Sequence, residues 1–563
     1  MNIDEIPLLT LEILKRNLDN YEDLSEEDIC RYLDTCFDIK NIPALTGEAE
    51  AVTLIKEVIS DNGYILGVCD YDSDGLNSGA IIHKALKHKS SNYGVIHNKR
   101  CDGNGFNPVL NKKIMDIHDK TPISLIITAD HGSSCKEAFD ELYEYGIKHI
   151  IITDHHTIPK DNPPENVDVF INPHRTHGDP IGMCGAYTVF KVLSGLYVDD
   201  EDIFEKLYRP CLPHVAIATV TDVMGVDIWY NRIAVRAGIQ LMNADTGMWD
   251  MLSKMMSIPG SYSYKDIGFI LGPFINTGNR ASAEELYFSI LTSEPDNPEL
   301  PELIETGMRL NIARKKVRKE TLGRAMLEVI PSQVDCSVCI VVDSTMAING
   351  ILANNIGEVY NVPCVCFSHV PESDTLAGSA RACVGYANIS EMFIEMNRLH
   401  PDLFLAYGGH SGAGGCSIKT DKLELFKMVL NDVSRKRKES WVGKSETKDI
   451  IIDISTAGLT PGVVDAINHA GPYGKGWVMP SLRGVFRIAK AIHLKGISIL
   501  NLMTAGGMDV KGTYFHRDND TVESVSDLMP RGAIIKAIFE PQYYKRNGRT
   551  DLTVVINDLT EVR

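Results

Sequence analysis

The sequence predicts an α/β protein: two α/β domains joined by a long helix and followed by a small C-terminal β-barrel. Three observations predict it. Between Gly63 and about Val226, apolar runs such as YILGVCDYD, SLIITADHG, HIIITDHH and VFINPH each end in polar or Gly-containing turns and alternate with helix-like stretches, the pattern of a helix-covered parallel sheet. Strand-like runs return at CSVCIVVD and VPCVCFS, behind a charged helical stretch. The C-terminal part is strand-rich and ends in FEPQYYKRNGRTDLTVVIND, whose Asn547-Gly548 pair suits a two-residue hairpin turn.

Taken in order, residues 1–60 alternate acidic and apolar positions at helical spacing and read as a capping helical segment without chemistry of its own. Residues 61–231 form the first α/β domain, with a site expected at the carboxyl ends of its strands. Residues 232–328 are mainly helical and end in RLNIARKKVRKETLGR, where Arg314 with Arg318 and Lys315 with Lys319 share helix faces, either solvated or facing DNA. Residues 329–440 form the second α/β domain, which carries GGHSGAGG and closes on the basic run Arg435 to Lys438. WVGKSETKD reads as a linker, and residues 441–563 as the barrel.

At 563 residues the chain is too long for one hydrophobic core. The first residues are acidic where a signal peptide is basic, and no apolar stretch is long enough to span a bilayer, so a cytoplasmic protein without a membrane partner is expected. The 13 cysteines then read as reduced thiols. Cys336 with Cys339, and Cys364 with Cys366, have spacing that a four-thiolate zinc site could use, but both stretches read as buried strands, which favours packing thiols. A net charge of −19 excludes a protein that coats nucleic acid over its whole surface, though not one with a basic channel. The charge is uneven, about −9 over the first 60 residues and about +2 from Trp441 onward.

The chemistry concentrates in DYDSDG, where Asp70, Asp72 and Asp74 alternate directly after an apolar run. On an extended strand alternate residues point the same way, so the three carboxylates can converge. Clustered carboxylates repel one another unless a cation sits among them. Helix capping is the competing reading for Asp-rich turns. Asp130 in LIITADHG, the trio Asp154, His155 and His156 in IIITDHH, and Asp222 after the fourth apolar run VAIATVTDV tip the balance toward metal binding. Carboxylate oxygens with one or two imidazoles suit manganese or magnesium better than zinc, and two ions sharing carboxylates suit hydrolysis of a phosphate ester.

At these residues the chain resembles the DHH phosphoesterase superfamily, named for the triplet present here as Asp154, His155 and His156. NKRCDGNGFN and LGPFINTGNR resemble arginine-bearing loops of RecJ exonucleases. LAGSAR and YGGHSGAGG resemble the signatures of the associated DHHA1 domain, and GPYGKGWVMPSL resembles the lead-in to the RecJ OB-fold. The resemblance implies a two-metal site, Mn2+ or Mg2+, in which Asp70 holds the first ion, Asp72 the second, Asp130 bridges, and His155 and Asp222 complete the coordination of the second ion. It implies that His156 contacts the scissile phosphate while Asp74 and Asp154 orient the ligands. Arg100, Arg280, Ser379 and Arg381 would engage the DNA backbone or a 5′-phosphate, with His410 closing the site.

Two departures from the family pattern stand out. Val68 occupies a position where many members have a metal-binding His, so the first ion has one ligand fewer unless His131 supplies it, and Phe274 stands where RecJ commonly has Arg. The resemblance implies a monomeric 5′→3′ exonuclease that threads single-stranded DNA between its α/β domains and releases 5′-mononucleotides in recombination, repair or replication. A single-strand-binding protein or a helicase would then be a partner. Tyr543, Tyr544, Lys545, Arg546 and Arg549 of the last hairpin are candidate strand contacts, with alternation burying one tyrosine. An RNA-directed 5′ exonuclease and a non-catalytic replication scaffold remain as alternatives, because nothing in the sequence identifiably reads a 2′-hydroxyl.

Overall fold

A computed structural model of the chain describes all residues except 1–2, 103–104, 159–162, 259–260, 295, 330–333, 344–345, 410, 442–448, 517–521, 523–528, 547–548 and 562–563. The chain divides into two compact units. The first comprises Met1–Gly278, Glu284–Glu305 and Asp449–Arg563, and the second Asn279–Ala283 and Thr306–Lys448. The helix Leu300–Glu328 carries the chain from the first into the second.

In the first unit, β1 (Tyr64–Cys69), β2 (Tyr93–His97), β3 (Ile123–Ala129), β4 (Ile150–Thr153) and β5 (Val169–Ile171) form an all-parallel sheet of order β2-β1-β3-β4-β5. Helices cover both faces, so β1, β3 and β4 are almost wholly buried and read as unbroken apolar runs. From β1 the chain goes to β2 on one side and then to β3 on the other. The loops leaving β1 and β3 therefore diverge, which opens a crevice at their carboxyl ends.

The fourth apolar run is not a strand. LPHVAIATVT is the helix Leu212–Thr221, and Leu212 through Val220 are all buried, so the polar face that would betray a helical period is missing. The N-terminal segment is more than a cap. Ile13, Leu14, Ile29 and Leu33 enter the barrel core, whereas Phe37, Ile39, Leu45 and Ile55 enter the core of the parallel sheet.

The barrel belongs to the same unit. β12 (Ser481–Leu494), β13 (Ile497–Met503), β14 (Asp509–Phe515), β15 (Ile534–Arg546) and β16 (Arg549–Glu561) close in the order β12-β13-β14-β16-β15-β12, with β14 and β16 parallel; β11 (Ile451–Asp453) pairs in parallel with the start of β12. This is an OB-like closure. Arg546 pairs with Arg549 across the predicted two-residue hairpin, while Asn547 and Gly548 lie outside the described residues.

The second unit holds a mixed sheet of order β6-β7-β8-β10-β9, built from β6 (Val338–Val341), β7 (Cys364–His369), β8 (Thr375–Arg381), β9 (Ala406–Gly409) and β10 (Ala413–Lys419). Only β6 and β7 run parallel. The basic run Arg435 to Lys438 ends the helix Leu423–Ser440, where Arg435 pairs with Asp335 and Asp432, and Arg437 with Glu391 and Glu395. Among the described residues, no helix is long and apolar enough to cross a membrane.

Candidate metal centre

Asp70 follows β1 and donates its N–H to Ala129 O across 3.3 Å, continuing the sheet ladder by one residue. The chain then leaves the extended conformation. Asp72 caps the helix Ser73–Lys87, its Oδ1 accepting from the N–H groups of Asp74 (2.9 Å) and Gly75 (3.2 Å). Capping and convergence thus coexist: the three carboxylates meet through a strand-to-helix turn and not by alternation along a strand. Gly75 permits the turn, since a Cβ there would lie 2.2 Å from Asp70 O. Asn276 Oδ1 accepts from Ser73 N at 3.0 Å and fixes the same helix start.

Asp74 is buried, and its two oxygens accept from Gly185 N and Ala186 N at 2.7 Å each. Those N–H groups begin the helix Gly185–Ser194, so the carboxylate rests on the positive end of a helix dipole. Asp130 follows β3 with φ +65°, a left-handed conformation that costs about 1 kcal/mol or more. Its side chain is packed so closely against Gly185 that a Cβ there would lie 2.5 Å from Asp130 Cβ.

Asp154 follows β4 and acts as an organiser. Its carboxylate accepts from Ser133 N (2.9 Å), His155 N (2.7 Å), His156 N (3.2 Å) and His156 Nδ1 (2.8 Å). Asn172 in turn donates to Ser133 Oγ and His156 O, both at 2.8 Å. Burial alone would raise the Asp154 carboxyl, but the bonds from His156 and Ser133 together with the imidazole charges hold it well below the usual carboxylate range. Burial opposes charge on His156 as well, yet Asp154 and the nearby Asp70 and Asp222 raise it to about 10.

Around this frame the ligand-type atoms converge. His155 Nε2 lies 3.1 Å from Asp130 Oδ1, 3.5 Å from Asp74 Oδ2 and 3.6 Å from Asp222 Oδ2. Three groups have their ligand atoms within 4.8 Å of one another: Asp70, Asp72 and Asp130; Asp74, His155 and Asp222; and Asp130, His155 and His156. Asp74 therefore joins the His155 and Asp222 group, while Asp72 sits with Asp70.

The donor set fits divalent cations. Among the described residues Asp70 Oδ1 is buried with no hydrogen-bond donor, and Asp130 Oδ1 faces His155 Nε2 at 3.1 Å. Burial, then the charge of Asp72, pushes the Asp70 carboxyl up to about 7 and that of Asp74 up to about 6; burial and neighbouring carboxylates raise Asp130 and Asp222 as well. Hard oxygens in mutual repulsion, with one or two imidazoles, are what Mn2+ or Mg2+ would relieve.

The other expected residues fare unequally. Arg100 is half-buried beside the site, close enough for its charge to act on Tyr71 between Asp70 and Asp72. Ser379 and Arg381 lie on β8 of the second unit, where the Arg381 guanidinium crowds Gly350; Arg280 belongs to the second unit too, and His410 lies outside the described residues. His131 joins none of the three groups of converging carboxylate and imidazole atoms. It is buried against Phe106, with ring centroids 4.7 Å apart, and its Nε2 lies 3.0 Å from Val68 O. Phe274 is also buried, edge-on to Tyr287, which removes it from any base-stacking role.

Ser133, Asn172, Asn276 and Gly185 escaped the sequence reading. Each acts through a backbone contact made far along the chain, so no local spacing marks them.

Residues 64–219 match the profile of the DHH family, N-terminal domain. The single-stranded-DNA-specific exonuclease RecJ of Dickeya dadantii is 25% identical over 502 residues, which is 84% of each chain. The crystal structure of RecJ in complex with Mn2+ from Thermus thermophilus superposes with a TM-score of 0.74 at 22% identity, covering 94% of this chain and 74% of that one; its complex with Mg2+ gives 0.72 at 20%, covering 99% and 75%. The chain thus matches the DHH family over residues 64–219 and is similar to RecJ in sequence and fold over most of its length.

Proposed function

We propose that the protein is a divalent-metal-dependent exonuclease that degrades single-stranded DNA from its 5′ end to 5′-mononucleotides. The observation that carries the reading is the meeting of Asp70, Asp72, Asp74, Asp130, His155, His156 and Asp222 at the carboxyl ends of the parallel strands. Similarity to the RecJ exonuclease and to RecJ complexes with Mn2+ and Mg2+ supports the choice of reaction and of cation.

In this reading Asp70, Asp72 and Asp130 would hold one cation and Asp74, His155 and Asp222 another, with Asp130 able to serve both. When bound, such cations would supply Lewis-acid polarisation of the phosphate and activation of a water at neutral pH. His156, kept protonated by Asp154, faces the developing negative charge as a hydrogen-bond donor. Asp154 sets the direction of that donor and Ser133 sets Asp154. Arg100, next to Tyr71, meets a backbone phosphate of the bound strand.

The test is incubation of 5′-phosphorylated single-stranded DNA and matched RNA with Mn2+ and either wild type or Asp130→Ala. Wild type shortens DNA from the 5′ end and the variant shortens neither. No shortening by wild type defeats the nuclease reading, preferential loss of RNA replaces the substrate, and loss from the 3′ end reverses the polarity.

A further inference from the structure

The turn that leads into the barrel carries a cation to the edge of the carboxylate cluster. Gly474 and Trp477 bridge in antiparallel fashion, leaving Lys475 and Gly476 at the tip. Lys475 O accepts from Val226 N at 2.9 Å, in the loop that starts at Asp222, and Val226 itself is buried in the barrel core. Gly476, at φ +76°, lies flat on the Asp227 carboxylate, which a Cβ would meet at 2.1 Å. The turn is thereby pinned to the Asp222 loop along its backbone.

Its base is rigid. Trp477 is fully buried, stacked on Tyr32 with ring centroids 5.6 Å apart, and the Arg232 guanidinium lies 4.1 Å from its ring centroid. Arg232 donates to the carbonyls of Tyr32, Val226, Ala470, Gly471 and Pro472, so one buried cation ties the N-terminal segment, the Asp222 loop and the barrel lead-in together. Lys475 is exposed and makes no ion pair among the described residues, and its charge reaches Asp222, on which it acts alongside His156. A lysine held by its backbone against the loop that starts at Asp222, exposed and in no ion pair among the described residues, is placed to meet an anion bound on that side of the cluster.

We infer that Lys475 is a substrate-binding residue, contacting a non-bridging oxygen of a phosphate in the strand bound at the Asp222 side of the cluster. This rests on the exonuclease reading above. The contact is a point charge on a backbone phosphate and carries no base preference. It adds to binding more than to the chemical step.

The test is steady-state kinetics of the full chain with Mn2+ and 5′-phosphorylated oligodeoxynucleotides over a range of KCl, comparing wild type, Lys475→Gln and Lys475→Arg. Lys475→Gln is expected to raise KM about tenfold with kcat within about twofold, and to flatten the dependence of log KM on log salt by about 0.7, the release of one counterion from a single strand. Lys475→Arg keeps KM within about threefold of wild type. Melting temperatures equal to wild type establish that the exposed substitutions leave the fold intact. A KM and salt slope for Lys475→Gln equal to wild type overturn the inference while leaving the exonuclease reading standing. Absence of cleavage by wild type overturns both.

Discussion

The carboxyl ends of the parallel sheet and the last hairpin of the barrel both carried expected functional side chains, and the two regions treat them in opposite ways. At the sheet ends, Asp70, Asp130 and Asp154 each donate a backbone N–H to the neighbouring strand, and their side chains project where the strands stop. On the hairpin, Tyr543 is engaged structurally: its hydroxyl donates to Pro461 O (2.9 Å) or Asp465 Oδ1 (2.8 Å), holding the helix Pro461–Ala470 to the barrel. Tyr544 remains exposed. A residue placed by the end of a buried strand keeps its direction, whereas one on a surface hairpin is open to capture by any element packed alongside.

The largest effect separating the regions is expected at Asp130. Asp130→Asn keeps a side chain that tolerates the left-handed backbone but removes the shared charge, so cleavage should fall by about a thousandfold, read by gel assay. The same change should raise the melting temperature of the metal-free protein. Nuclease loss accompanied by destabilisation would instead mean that the carboxylate is structural.

Arg232→Met comes next. It removes a donor from five carbonyls, of which Ala470 O keeps Trp477 Nε1 and Tyr32 O keeps Arg236, and should cost about 3–5 kcal/mol in urea denaturation. Asp154→Asn should lower activity by roughly 10–100-fold. It should also bring the His156 imidazole down from about 10 toward its ordinary range, followed by NMR on the metal-free protein. The smallest effects belong to the hairpin. Tyr543→Phe should cost about 1 kcal/mol of stability and leave strand binding within twofold, while Tyr544→Ala should leave stability unchanged and weaken binding by about 1 kcal/mol. The reverse pattern would return Tyr543 to the binding surface.

The carboxylates also make stability pH-dependent. Asp70 and Asp74 titrate at about 7 and about 6 when folded, and near 4 in the unfolded chain. Between those values these two groups bind more protons in the folded, metal-free protein than in the unfolded chain, so their contribution to stability rises as pH falls from 7.5 to 5.5 and declines as pH rises through that window. Saturating Mn2+ should remove the decline.

The same contrast marks what the sequence made legible. β1, β3 and β4 were readable because burial on both faces turns a parallel strand into an unbroken apolar run that stops where the polar residues begin. That criterion fails for LPHVAIATVT, since a helix buried all round also lacks a polar face; the structure places Asp222 at the end of that helix, with its carboxylate near Asp74 and His155. The grouping of Asp74 with His155 and Asp222 could not be read either, because it depends on Gly185 and Ala186, more than a hundred residues away along the chain. Nor could the division of the N-terminal segment between two cores, since Leu14 and Ile55 are apolar in the same way and only packing distinguishes them.

Calorimetric titration of Mn2+ into the full chain tests the central claim most directly, because it reads the carboxylate and histidine cluster without reference to substrate. The account predicts two ions bound per wild-type chain and loss of binding in Asp130→Ala, whose carboxylate is common to two of the three ligand groups. Unchanged Mn2+ binding by Asp130→Ala would contradict it.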